Sequence, residues 1–164
     1  MLIDIQYLLD FGLPISDEIS DNNINRAIST AEHYILQPRI GDDLYIAILT
    51  ALENEDPEYD VILDGGVLEK SDEHGGYIYA YVTGLRAALG HIAYSIMLTN
   101  YLNATTFGST LKKDDYSDQA GLERIQKIGM QHMEIGLWCI KQITDWYGIK
   151  NDASMLPNIH EELI

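Results

Sequence analysis

The groups through which this chain could do chemistry are five histidines, one cysteine and a set of carboxylates that outnumber the cations 26 to 10. The histidines, His33, His74, His91, His132 and His160, fall in different segments, and none stands near another His or a Cys at the spacing of a metal-ligand motif. Structural or surface roles are expected for them. No Glu-x-x-His run occurs, which argues against a di-iron site in a helical bundle. Asp56, Asp60 and Asp64 recur at every fourth position, as one face of a helix would, without the alternate spacing and central glycine of a calcium loop. A solvated face is the expectation. Asp72-Glu73-His74 could hold a divalent ion weakly, but a charged hairpin end that resists edge pairing is the better account. Cys139, between Trp138 and Ile140, reads as a small buried hydrophobe rather than a nucleophile. With no Gly-x-Ser-x-Gly elbow, phosphate loop or dinucleotide fingerprint, the expectation is no catalytic residue, no metal and no cofactor. An enzyme would need a carboxylate site assembled from scattered residues.

Those groups must be carried by a chain of 164 residues, 46% hydrophobic and 22% charged, which suits one domain with its own core. Its net charge of -16 argues against any protein that grips nucleic acid through phosphates. A single cysteine excludes an intrachain disulfide. The opening MLIDIQYLLD lacks the basic start of a signal peptide, and no apolar run approaches the roughly 18 residues that a bilayer requires. A protein that works where it is made, away from membranes, is expected.

The pattern predicts a mainly α bundle of four to five helices with a small β-hairpin insertion, an extended arm and a C-terminal tail. A short first helix should end near Gly12. From a cap at Ser20 or Asp21, the residues Ile24, Ala27, Ile28, Ala31 and Ile35 form one helical face, with Pro38 as the expected stop. A second helix starts at Gly41 or Asp42 and buries Leu44, Ile48, Leu49 and Leu52. Pro57 opens a short helical turn through Leu63. Paired glycines and the β-forming run from Tyr77 to Val82 predict the hairpin at about 66 to 82. A core helix runs from Leu85 to about Leu102, followed by an arm at about 103 to 116. A long helix from a cap at Ser117 ends at Tyr147 before Gly148. Residues 1–150 form the domain and 151–164 the tail.

Three features exceed what a self-contained monomer needs. The arm carries Phe107, Leu111, Lys112 and Lys113, expected at a subunit interface. Gly121, Gly129 and Gly136 lie near one face of the long helix, where another backbone could approach closely. The tail holds Met155, Leu156, Pro157, Ile159, Leu163 and Ile164, too apolar for a solvated end. Together they point to a subunit that completes its packing on neighbours.

The run Ile28-Ser29-Thr30-Ala31-Glu32, followed by Ile35-Leu36-Gln37-Pro38-Arg39-Ile40-Gly41-Asp42-Asp43-Leu44-Tyr45, resembles the opening helices of head-tail connector (adaptor) proteins of tailed bacteriophages. Asp64-Gly65-Gly66, Gly84-Leu85-Arg86-Ala87-Ala88-Leu89 and the segment from Phe107-Gly108 to Tyr116-Ser117 are similar to versions in phages of Bacteroidetes, including ring proteins of crAss-like phages. The resemblance covers residues 20 to 147 and rests on structural rather than catalytic motifs. It implies a structural virion protein at the portal vertex, assembled in the bacterial cytoplasm into a homo-oligomeric ring, commonly of twelve subunits. The ring would join the portal protein to the tail or to other ring proteins, and DNA would pass through without specific binding. The arm would then reach an adjacent subunit, and the tail would dock on the portal or the next ring. A small acidic helical binding module of the host, of the DNA-mimic type, is the alternative from another class.

Overall fold

The computed structural model describes residues 1–15, 19–71, 76–100 and 119–148. Phe107, Leu111, Lys112 and Lys113 of the arm, the acidic hairpin tip, the cap at Ser117, and Met155, Leu156, Pro157, Ile159, Leu163 and Ile164 of the tail lie outside the described residues. The elements are, in order, α1 (Ile5–Asp10), α2 (Asp21–Thr30), a π-helical turn (Ala31–Leu36), α3 (Gln37–Ile40), α4 (Asp42–Glu53), a 3-10 turn (Pro57–Tyr59), α5 (Asp60–Asp64), β1 (Gly66–Ser71), β2 (Tyr77–Val82), α6 (Leu85–Asn100) and α7 (Gln119–Tyr147). The architecture is mainly α with one small antiparallel hairpin, as the sequence pattern predicts.

The core is organised around α6, whose apolar residues exceed a single stripe. Leu85, Ala88, Leu89, Ile92, Ala93, Tyr94, Met97 and Leu98 are all buried. A helix that is apolar on most sides must be covered on most sides. Here α2 and α5 pack on α6, and α7 packs along it. The pairing of α6 with α7 is close because Gly136 has no side chain. A Cβ there would stand 2.5 Å from Ile92 Cγ1 and 2.9 Å from the Ala88 carbonyl oxygen. Gly129 faces Leu98, Thr99 and the Ser95 carbonyl in the same seam. The backbone admitted by Gly129 and Gly136 is therefore that of α6 in the same chain. This corrects the expectation that a neighbouring copy completes the glycine face. Gly121 belongs to the first turn of α7.

Pro38 does not stop the second helical run. Inside an α-helix its ring would collide with the carbonyl four residues back. The chain avoids this by widening into the π-helical turn Ala31–Leu36, so that helix continues through Pro38 to Ile40. The Arg39 guanidinium donates to the Ile35 carbonyl oxygen at 2.9 Å, satisfying an acceptor at the edge of the disturbed ladder. The true terminator is Gly41, with φ +82°. The same residue leads into α4, whose first turn places Asp42 and Asp43 at the positive end of the helix dipole.

Strand register sets what the hairpin shows to each side. Gly66 pairs with Val82, Leu68 with Ala80 and Lys70 with Ile78 on one face; Val67 pairs with Tyr81, Glu69 with Tyr79 and Ser71 with Tyr77 on the other. The first face lies on the body, where Val82 is fully buried and the Lys70 ammonium sits 4.8 Å from the centre of the Trp146 ring. Gln142 of α7 holds the same edge, accepting from the Thr83 N–H at 3.2 Å and from its hydroxyl at 3.1 Å.

Candidate interaction surfaces

The polar groups that sequence motifs brought to attention serve mainly as joints of the fold. Glu32 is completely buried, one turn beyond Ile28 on the core face of the helical run. Its Oε1 accepts from the Tyr45 hydroxyl at 2.7 Å and its Oε2 from the Leu2 N–H at 3.0 Å, while the N-terminal ammonium stands 3.9 Å from Oε1. Burial, followed by the hydrogen bond and charge of Glu32, pushes the Tyr45 hydroxyl well above its ordinary titration range. Asp64 is exposed, as expected of a solvated face, and it also accepts from Arg86 Nη1 at 2.7 and 2.8 Å, while Arg86 Nε donates to the Leu2 carbonyl at 3.1 Å. Asp56 caps the following turn by accepting from the Glu58 N–H at 3.0 Å. Cys139 is buried and its thiol is pushed up by that burial, which keeps it a poor nucleophile.

Two histidines expected to act singly come together. His91 of α6 and His132 of α7 meet with their Nδ1 atoms 2.8 Å apart. Their ring centres are 5.1 Å apart with a 30° twist, the separation of two imidazoles meeting end to end through one N–H···N bond. One Nδ1–H donates into the other Nδ1 lone pair, so a single proton serves both atoms. Phe11 packs edgewise on His91 and Tyr94 edgewise on His132. Sequence spacing could not reveal the pair, since 41 residues separate its members. Burial, reinforced by the neighbouring His132, lowers the His91 pKa to about 4, and burial lowers that of His132. The unfolded chain takes up these protons near the ordinary value of about 6.5, whereas the folded chain resists them. The contribution of His91 to stability is therefore complete above about pH 6.5 and is lost as pH falls through about 4, and that of His132 changes in the same direction. Urea midpoints measured at pH 7 and pH 5 should fall for the natural chain. In a His91→Gln/His132→Gln variant that decline should shrink, and an unchanged decline would assign it to other groups.

Among the described residues no group of three or more His, Cys, Asp or Glu side chains gathers as a metal site, and no helix is long and apolar enough to cross a membrane. What the geometry leaves is surface. On the outer side of α7, Met130, Glu134 and Trp138 follow one another at four-residue spacing, bordered by Ile135; Trp138 is 57% exposed and Met130 58%. On the hairpin, Tyr77, Tyr79 and Tyr81 are 61–69% exposed beside Val67. Sequence reasoning placed the partner-facing flank of α7 on the glycines and gave the hairpin a charged tip but no role for its tyrosines. The alternation of Tyr77, Tyr79 and Tyr81 was the signal for the second surface, because strand period puts all three on one side. Neither a family model, nor a curated protein, nor a solved structure matches the chain.

Proposed function

We propose that the chain is a structural subunit that packs against copies of itself in a ring, acting as a head-tail connector between the capsid portal and the tail of a bacteriophage. The observation that carries the self-association is the outer stripe of α7. A 29-residue helix that has already buried one face on α6 still exposes Met130, Ile135 and Trp138. Large apolar groups presented together on a rigid helix are the makings of an interface core, and Trp is the residue type most often found as its anchor. The placement at the portal rests on the resemblance of residues 20 to 147 to connector proteins. Charge agrees with a conduit, since each subunit would bring a net charge of -16 to a channel through which duplex DNA must slide without being held.

Sedimentation of the purified chain, alone and mixed with portal protein, tests this reading directly. A closed oligomer or a portal-bound ring is the expected result. A monomer at all concentrations with no portal affinity would favour the small acidic binding module instead. Trp138→Glu puts a carboxylate next to Glu134 on the exposed stripe and should weaken self-association about thirtyfold, the effect of losing one interface anchor, with an unchanged circular dichroism spectrum.

A further inference from the structure

We propose that the tyrosine face of the hairpin is a docking surface for an arginine-bearing segment of a protein partner. Among the described residues the hairpin is fastened through one face. Leu68 and Val82 lie toward the core, and Lys70 covers Trp146, so the opposite face is free to carry something else. That face presents Tyr77, Tyr79 and Tyr81 at alternate positions of one strand, with Glu69 directly across from Tyr79. The centres of the Tyr77 and Tyr79 rings are 6.4 Å apart and their planes differ by 31°. That spacing is less than twice the ordinary carbon contact of about 3.5 Å, so a flat group lies against the exposed face of one ring rather than between the two. Among the described residues no Lys or Arg of the chain lies over these rings, whereas Lys70, the hairpin's own cation, is engaged on the other side.

Charge then selects the visitor. The rings offer electron-rich faces, Glu69 offers a carboxylate at their middle, and the whole chain carries a net charge of -16. A cation is attracted by all three, and an anion by none. Nucleic acid bases could stack on tyrosines, but single-strand binders pair such platforms with cations that follow the phosphates, and this face supplies none. Between the two cationic side chains, a planar guanidinium can stack on a phenol ring while donating two bonds to one carboxylate, and an ammonium cannot. The surface therefore fits arginine specifically. It lies on a different element from the outer stripe of α7 and does not depend on ring formation.

The test uses the full chain and three blocked, fluorescently labelled hexapeptides in which Ser alternates with Arg, Lys or Glu, read by anisotropy, together with an oligothymidine of similar length. The Arg peptide should bind, the Lys peptide about threefold or more weaker, and the Glu peptide and oligonucleotide not at all. Tyr79→Ser should weaken the Arg peptide about tenfold, whereas Tyr79→Phe, which keeps the ring, should stay within about threefold of the natural chain. Tyr34→Ser, at an exposed tyrosine on another element, should leave binding unchanged. All these positions are at the surface, so circular dichroism should not move. Equal binding of Arg and Lys peptides with no effect of Tyr79→Ser would reduce the attraction to net charge and overturn the proposal, as would preferential capture of the oligonucleotide or failure to bind the Arg peptide. The ring reading could fail by sedimentation while this result stands, and the reverse.

Discussion

Gly84→Ala should lower the unfolding free energy by about 3 kcal/mol or more, well beyond the loss from the same change at Gly12. Both glycines have positive φ, +97° at Gly84 and +81° at Gly12, so both substitutions carry the cost of about 1–2 kcal/mol of forcing an L residue into that region. Surroundings separate them. A Cβ at Gly12 meets nothing within 4 Å. A Cβ at Gly84 would stand 2.6 Å from the Gly65 nitrogen, 2.6 Å from the Leu63 carbonyl oxygen and 2.8 Å from the Asp64 carbonyl carbon. These are backbone atoms at the base of the hairpin, and they cannot turn aside as a side-chain tip can. The contact is mutual, since a Cβ at Gly65 would lie 2.6 Å from the Thr83 carbonyl oxygen. The chain entering β1 and the chain leaving β2 cross there, and relief requires moving a strand. Urea denaturation of the two variants measures the difference. Equal losses would mean that φ alone sets the cost and that the crossing relaxes freely.

That crossing also shows where sequence reading reaches and where it ends. The elements were legible because their signals are local. Ser20 stands at a helix start as a cap, Pro57 opens its turn, paired glycines frame the hairpin, and the stripe from Leu85 to Met97 has helical period. Pro38 misled because a proline's local rule assumes an α turn behind it; the π-helical turn changes that premise, and nothing in the period of apolar residues announces the extra residue. The glycines of α7 predict close approach but not of what, because a missing side chain carries no address. His91 and His132 could not be matched for the same reason, since only the packing of α6 on α7 brings them together. The residues that resembled connector proteins fare differently. Glu32 meets Tyr45, Asp64 meets Arg86, and Gly65 meets Gly84, so those separate short runs are two sides of three joints. Joints are specified by pairs distant in the chain, which is why a motif can be noticed before its purpose can be read.

Of those joints the buried carboxylate should be the most sensitive to a change of chemistry. Glu32→Leu should cost about 3 kcal/mol, although it replaces a charged group in the core by an apolar one of similar size. The carboxylate is the acceptor for the Tyr45 hydroxyl and the Leu2 N–H. Leucine leaves both donors in place without an acceptor, and an unsatisfied buried donor costs about 1–3 kcal/mol. Glu32→Gln should lose about 1 kcal/mol, because one amide oxygen replaces two carboxylate oxygens but still accepts from one donor. Glu32→Leu/Tyr45→Phe separates the two possible origins of the loss. If the penalty lies in the stranded hydroxyl, removing it as well should restore about 1–2 kcal/mol, and the double variant should be more stable than Glu32→Leu alone. If the penalty lies in how leucine packs against the π-helical turn, Tyr45→Phe should add its own loss and restore nothing. Unfolding curves for the natural chain, both single variants and the double variant complete the cycle. A double variant at or below the stability of Glu32→Leu would remove the Glu32–Tyr45 bond as the reason this helix pair holds its place.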